Sequence, residues 1–431
     1  MRLLLISPYF PPQNAIASLR AYAFAQHWSE QGVDLTVLTT RKREDQRGLE
    51  KCCDEFEMVE IPYEIPRIFE VLRRKHKFSQ IEGKSKQASS SASGRSMRAL
   101  DKLRGWTGIL GSVRMPDLTD YWVKPAVSWC KEQQHWDVVV SSCGPYTAHL
   151  VALTLKKQLH AKRWVADFRD LWVGNHIYRG LFPFTLRERA LQKRCLAESD
   201  FVTTVSEELA KNLRPRTRAQ VKIVYNGFDP RDFKSLNKER IFPDDDLVRM
   251  VYTGTLYKEG QDPSPILNAL RALKKNHPKL ASKLKLVTAG HGCERWQQLA
   301  KQFEVTDFVE INDVVERSDA LRMQRDADAL LLIDWRDSSA GVLTGKLFEY
   351  LGQRAPILVV GGQGDSAITQ VIKKTCRGRC FASDEKRIAD ALVQLVDSPQ
   401  SLCDTPNHEV ISSFTRESQS MRLLEMIKNL K

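Results

Sequence analysis

The chain has 431 residues, 42% of them hydrophobic, and a net charge of +13. That length is too great for one ordinary domain and predicts two of about 200 residues each. No apolar run approaches the roughly 20 residues that span a bilayer, and the apolar start, Met1 to Phe10, is too short for a secretory signal and runs into Pro8 and Pro11-Pro12.

Short apolar, β-branched runs alternate with helical stretches along the chain. Leu3 to Ile6, Leu35 to Leu38, Val138 to Val140, Trp164 to Ala166, Phe201 to Val205 and Val221 to Tyr225 read as one series of strands. Met250 to Thr253, Leu284 to Val287, Phe308 to Ile311, Ala329 to Ile333 and Ile357 to Val360 read as a second. Strands apolar along their whole length are covered on both faces, which implies parallel βαβ units. Two series imply two doubly wound α/β domains, with ligands at the carboxyl ends of the strands. The expected divisions are a first domain over 1–228, a charged, proline-bearing linker over 229–246, a second domain over 247–410 and a terminal stretch over 411–431. In that last stretch Met421, Leu423, Leu424, Met426 and Ile427 share roughly one helical face.

The charge is unevenly placed. Arg73 to Arg104 holds ten Lys/Arg and two acids, a net +8 in a serine-rich segment that reads as a mobile insert in the first domain. The rest of the chain carries +5, so no basic face for nucleic acid is expected. The nine cysteines contain no Cys-x-x-Cys pair and read as free thiols of a reducing, cytoplasmic compartment.

The run Gly341 to Leu351 carries the strongest chemical signal. A glycine-bearing polar turn opens a helix with Lys346 in its first turn and Glu349 just beyond, and the strand-like Ile357 to Val360 follows. Helix N-termini attract anions, glycines let the backbone approach phosphate oxygens, and a carboxylate can accept hydrogen bonds from a ribose diol. The pattern suits a nucleotide diphosphate. An ordinary surface helix with a solvated Glu349 is the competing reading at this level.

Taken together, several segments resemble the retaining GT-B glycosyltransferases of the family 4 group. They are Leu3 to Pro12 with Arg20, Val33 to Thr39, Ala166-Asp167-Phe168-Arg169-Asp170-Leu171-Trp172, Val202 to Ser206, Val224 to Asp229, Tyr252-Thr253-Gly254-Thr255-Leu256-Tyr257 and Thr344 to Leu351. The resemblance covers most of the chain apart from roughly 40–135. It implies two Rossmann-like domains facing a cleft, with the C-terminal helix packing back towards the first domain. It also implies transfer of a hexosyl or N-acetylhexosaminyl group from a UDP- or GDP-linked donor, with retention and without a metal, in surface-polysaccharide assembly. A glycan or polyprenyl-diphosphate-linked acceptor is then expected.

By the same resemblance, Gly254, Thr255, Lys258, Thr344, Gly345 and Lys346 face the donor diphosphate and Glu349 the ribose. Asp167, Arg169 and Asp170 are the expected catalytic loop, with a structural Arg169–Asp170 ion pair as the alternative. Asn14 and Arg20 fall in the first donor- or acceptor-facing loop. The chain also departs from the family. Gly341 stands where many members carry a second acid, for which Asp337, Ser338 or Ser339 are substitutes, and Gln13 to Ser18 replaces a glycine-bearing loop. These departures motivate a second expectation, a catalytically inactive glycosyltransferase-like subunit or a sugar-nucleotide-binding protein. Met97, Leu100, Leu103, Trp106 and Leu110, interleaved with Arg98, Lys102 and Arg104, form a basic amphipathic pattern. Contact with an anionic membrane surface through 73–110 is therefore expected, with the protein peripheral on the inner face of the cell membrane. A Rossmann oxidoreductase is disfavoured, because no Gly-x-Gly-x-x-Gly follows the first strand.

Overall fold

A computed structural model describes residues 1–46, 48–49, 56–67, 103–175, 178–258, 260–337 and 341–430. The chain divides into two compact units. One comprises Met1–Val205, Leu209–Val224 and Ser420–Lys431; the other comprises Ser206–Glu208 and Tyr225–Gln419. The insert over 73–102, Ser338 and Ser339 lie outside the described residues.

The first unit is built on a seven-stranded sheet. Its strands are β1 (Arg2–Ile6), β2 (Asp34–Thr40), β3 (Glu57–Ile61), β4 (Trp136–Ser142), β5 (Ala161–Phe168), β6 (Phe201–Thr204) and β7 (Gln220–Ile223). They lie in the order β3-β2-β1-β4-β5-β6-β7. Every pairing is parallel, for example Leu5 opposite both Val37 and Val140. The side-chain alternation of β1 shows why its sequence is apolar throughout. Leu3 and Leu5 pack with Phe24 and Trp28 of helix Ile16–Glu30, whereas Leu4 and Ile6 join Trp122 and Val151 on the other face. Two covered faces leave no position for a polar alternation.

The second unit repeats the plan with six strands. These are β8 (Val248–Thr253), β9 (Leu284–Ala289), β10 (Val309–Asn312), β11 (Ala329–Ile333), β12 (Ile357–Val360) and β13 (Gly378–Cys380). Their order is β10-β9-β8-β11-β12-β13, again all parallel. Leu331 and Ile333 face one layer and Leu330 and Leu332 the other. In both sheets the order reverses beside the first strand of the unit, which opens a crevice at the carboxyl ends where such folds bind ligands.

The sequence pattern missed β3 and β13. Both are edge strands, short or bearing exposed charge, so neither shows the continuous apolar run of a central strand. The stretch expected as a linker, 229–246, is packed: Pro230–Lys234 is helical and Phe242 is buried among Val251, Met323 and Leu330. Helix Arg416–Lys428 begins in the second unit, and its later residues Leu423, Leu424 and Ile427 are buried with Phe24 and Trp28 in the first. Trp28 Nε1 donates to the Ser420 carbonyl at 2.9 Å.

Candidate functional site

In the second unit, the carboxyl end of β8 and helix Gly345–Leu351 bring four expected residues together. The chain leaves β8 through Gly254, whose φ of +97° is a left-handed conformation that favours glycine. A Cβ there would sit 3.4 Å from Lys346 Cε, so the glycine also makes room for the lysine. The Lys346 ammonium lies 3.9 Å from the centre of the Tyr252 ring. It donates to Tyr252 Oη at 2.6 Å and to the Thr255 carbonyl at 3.2 Å, while Tyr252 Oη donates to that same carbonyl at 2.8 Å. These acceptors are neutral, and burial lowers the Lys346 pKa to about 7, with Glu349 drawing it back up. Thr344 precedes the helix with an extended backbone and makes no capping hydrogen bond. Its Oγ1 is buried without a partner. A half-buried ammonium without a close carboxylate and an unpaired hydroxyl at one helix start both suit an anion.

Glu349 is held through both oxygens. Arg317 Nη2 donates to Oε1 at 3.3 Å and Gln324 Nε2 to Oε2 at 3.3 Å. Gln324 also reaches Thr253 Oγ1 at 2.9 Å, and Arg317 is shared with Asp232 at 2.8 Å. Burial works against the Arg317 charge, but Asp232 and Glu349 outweigh it and raise its pKa. Arg416 completes the chain of charges on Asp232 at 3.1 Å. Glu349 is thus not simply solvated: both of its partners come from helix Arg317–Arg325, and they are tied in turn to Thr253 of β8 and Asp232 of helix Pro230–Lys234. Lys258 lies exposed in the turn beyond Thr255.

Gly341 has a φ of +61°, and a Cβ on it would fall 2.5 Å from Glu208 Cβ. One carboxylate oxygen of Glu208, Oε2, is buried without a partner. Position 341 therefore has no room for a side chain, and the nearest acidic residue across it is Glu208, distant in sequence. Asp337, the described one of the three expected substitutes, is exposed.

In the first unit the structure separates the expected catalytic residues. Asp167 is fully buried and accepts four hydrogen bonds. Two come from Arg20 (3.0 and 2.8 Å) and one each from Ser142 and Thr203 (2.8 Å). Burial alone would raise the Asp167 pKa; the Arg20 charge and these hydrogen bonds reverse that and hold it below the usual range. A carboxylate so saturated is closed to a substrate. The expectation that Asp167 and Arg20 meet ligand is corrected: they clamp β5 to helix Ile16–Glu30. Asp167 still lies within β5, while Arg169 and Asp170 lie beyond its end and reach the rim. Those two pair at 2.7 Å, with side-chain exposures of 15% and 43%. Arg169 Nε is buried without a partner. Asn14 is exposed just before helix Ile16–Glu30.

Sequence reasoning overlooked two groups on this rim. Tyr9 follows β1, and burial raises its pKa against the lowering effect of a Ser112 hydrogen bond, with Asp117, Arg169 and Tyr178 close by. Lys42 follows β2; its ammonium is buried against Thr39, Thr40 and the Pro8 carbonyl, which lowers its pKa to about 7. Tyr9 falls within the Leu3 to Pro12 segment but its type alone marks no role there, and Lys42 stands in no recognisable motif. The buried Ser141–His149 pair (2.7 Å) is not a nucleophile site, since Trp164 Nε1 also donates to Ser141 Oγ and burial holds His149 down to about 3. Among the described residues no group of three or more His, Cys, Asp or Glu is arranged to hold a metal ion.

Residues 17–227 match the family model described as the glycosyl transferase 4-like domain. A search of curated protein sequences gave no match. Solved structures match over the whole chain. Sucrose-phosphate synthase from Thermosynechococcus elongatus has a TM-score of 0.61 at 12% identity, covering 100% of this chain and 99% of its own. An Escherichia coli trehalose-6-phosphate structure bound with UDP-2-fluoro glucose has a TM-score of 0.60 at 11% identity, covering 100% and 99%. The apo lipopolysaccharide outer core galactosyltransferase WaaB has a TM-score of 0.56 at 13% identity, covering 99% of each chain. The chain has the GT-B fold. In this GT-B chain the Lys346–Glu349 helix follows β11, next to β8 at the switch point of the second sheet.

Proposed function

We propose that the protein is a glycosyltransferase that moves a hexosyl or N-acetylhexosaminyl group from a UDP- or GDP-linked donor to a glycan or polyprenyl-diphosphate-linked acceptor. The reaction retains the anomeric configuration and serves surface-polysaccharide assembly in the cytoplasm. The observation that carries this reading is the Lys346 ammonium, half-buried without a close anionic partner beside the unpaired Thr344 hydroxyl. Lys346 would take a diphosphate oxygen and Glu349 the ribose hydroxyls, with Gly254, Thr255, Lys258 and Gly345 around them. In the transfer, the bond from the anomeric carbon to the diphosphate oxygen breaks and a bond to an acceptor hydroxyl oxygen forms. The hydroxyl proton passes to the departing diphosphate. Charge growing on that leaving group is what Lys346 stabilises, so no metal is called for. Arg169 and Asp170 at the first unit's rim are assigned to the acceptor side.

A thermal-shift screen with UDP, GDP, dTDP and ADP, each with and without a divalent metal, tests this reading. One nucleotide should raise the midpoint without metal, and Lys346→Ala and Glu349→Ala should abolish both that shift and transfer. Failure of all four to shift the protein would refute it. The second reading, a sugar-nucleotide-binding subunit without catalysis, is motivated by Gly341 and its Glu208 neighbour. It predicts the nucleotide shift without turnover.

A further inference from the structure

The strongest unassigned surface lies on the first unit, where the loop after β5 meets the segment that follows the insert. Main-chain hydrogen bonds join the two: Arg179 N donates to the Trp106 carbonyl at 3.3 Å, and Gly180 N to the Thr107 carbonyl at 3.0 Å. The joined segments expose large apolar side chains. Phe182 is 74% exposed, Trp106 and Leu186 55% each, and Leu103 37%. Of nine tryptophans, Trp106 alone is exposed.

The charge around these side chains has one sign. Residues 178–197 contain five bases and one acid. The acid, Glu188, is fully buried, paired with Arg114 at 2.6 Å. Arg179, Arg187, Arg189, Lys193 and Arg194 remain exposed, and Arg179 lies 5.8 Å from the Trp106 ring centre. Residues 103–114 add Arg104 and no acid, Arg114 being buried against Glu188. Exposed aromatic and aliphatic groups ringed by cations, with the local acid removed by burial, fit the interface of an anionic bilayer: the rings enter the acyl boundary while the bases meet headgroup phosphates.

We propose that Trp106, Phe182 and Leu186 are a membrane-docking surface, oriented on anionic lipid by Arg179, Arg187 and Arg189. It adjoins the rim that carries Arg169 and Tyr9: Ser112 and Tyr178 both act on Tyr9, and a Cβ on Gly108 would meet Tyr178 Cβ at 2.6 Å. Docking there would bring that rim to a lipid-linked acceptor, a consequence that rests on the transferase reading. The docking itself does not.

The test uses the full chain, without nucleotide, in flotation with phosphatidylcholine vesicles with and without phosphatidylglycerol. Binding should require phosphatidylglycerol and weaken with salt. Lipids brominated in the acyl chain should quench the protein's fluorescence, and Trp106→Phe should remove that quenching. Phe182→Ser with Leu186→Ser, both exposed and so expected to leave folding intact, should weaken binding by on the order of tenfold or more. Equal binding to both vesicle types, absence of quenching, or unchanged binding of the double variant would each overturn the proposal. So would a double variant that changes only self-association in ultracentrifugation, which would assign the surface to a second copy of the chain. Vesicle binding without a nucleotide shift would leave this proposal standing and remove the transferase reading alone.

Discussion

If the proposed donor site is right, the position of Lys346 makes nucleotide binding a proton-uptake reaction. Its pKa is lowered to about 7 because burial penalises the ammonium and its close acceptors are neutral. At about pH 8.5 such a lysine is only about 3% protonated. A diphosphate placed against it favours the charged form and drives the pKa back towards 10.5, the ordinary value. Binding at that pH should therefore take up close to one proton. Affinity should fall by up to about tenfold per pH unit above 7, equivalent to about 1.4 kcal/mol per unit. The nucleotide's own phosphates are fully ionised at about pH 8.5, since their last pKa is near 6. Lys42 titrates in the same range but lies in the other unit and should cancel between free and bound protein. Calorimetric titration of the nucleotide that stabilises the protein, repeated in buffers of different ionisation enthalpy, reads the proton number as a slope. A slope near zero for the native chain, or an unchanged slope in Lys346→Met, would refute the reasoning.

Asp167 and Gly341 yield further expected outcomes. Asp167→Ala leaves the Arg20 guanidinium buried without its partner and should cost about 3–5 kcal/mol, read by urea denaturation. The Asp167 carboxyl is held below its unfolded value, so its contribution should be complete above about pH 4 and disappear as pH falls through the lower folded value. Gly341→Glu should fail to install the second acid usual in the family. Its Cβ would meet Glu208 Cβ at 2.5 Å from a φ of +61°, so donor binding measured by calorimetry should weaken rather than improve.

The central strands were legible because both faces of each sheet are covered, which writes an unbroken apolar run into the sequence. Leu423, Leu424 and Ile427 were legible for a related reason: their helical spacing marks a buried stripe. Side-chain destinations near strand ends were not. Asp167 and Arg169 stand two residues apart in one charged cluster, yet one ends in the core and the other at the rim. What decides is where β5 stops and which partners, Arg20, Ser142 and Thr203, arrive from other strands and helices. The fixing of Glu349 by Arg317 and Gln324, and the close approach of Glu208 to Gly341, depend in the same way on residues distant in sequence.

The terminal helix imposes an order on synthesis. The first unit's sheet is translated by Ile223, but the layer over Phe24 and Trp28 is completed by Leu423, Leu424 and Ile427, which follow only after the whole second unit. A ribosome-bound chain thus carries an unfinished hydrophobic layer while the second unit is being made. A fragment ending at residue 228 should bind holdase chaperones and aggregate, and adding a peptide of residues 416–430 in trans should rescue it.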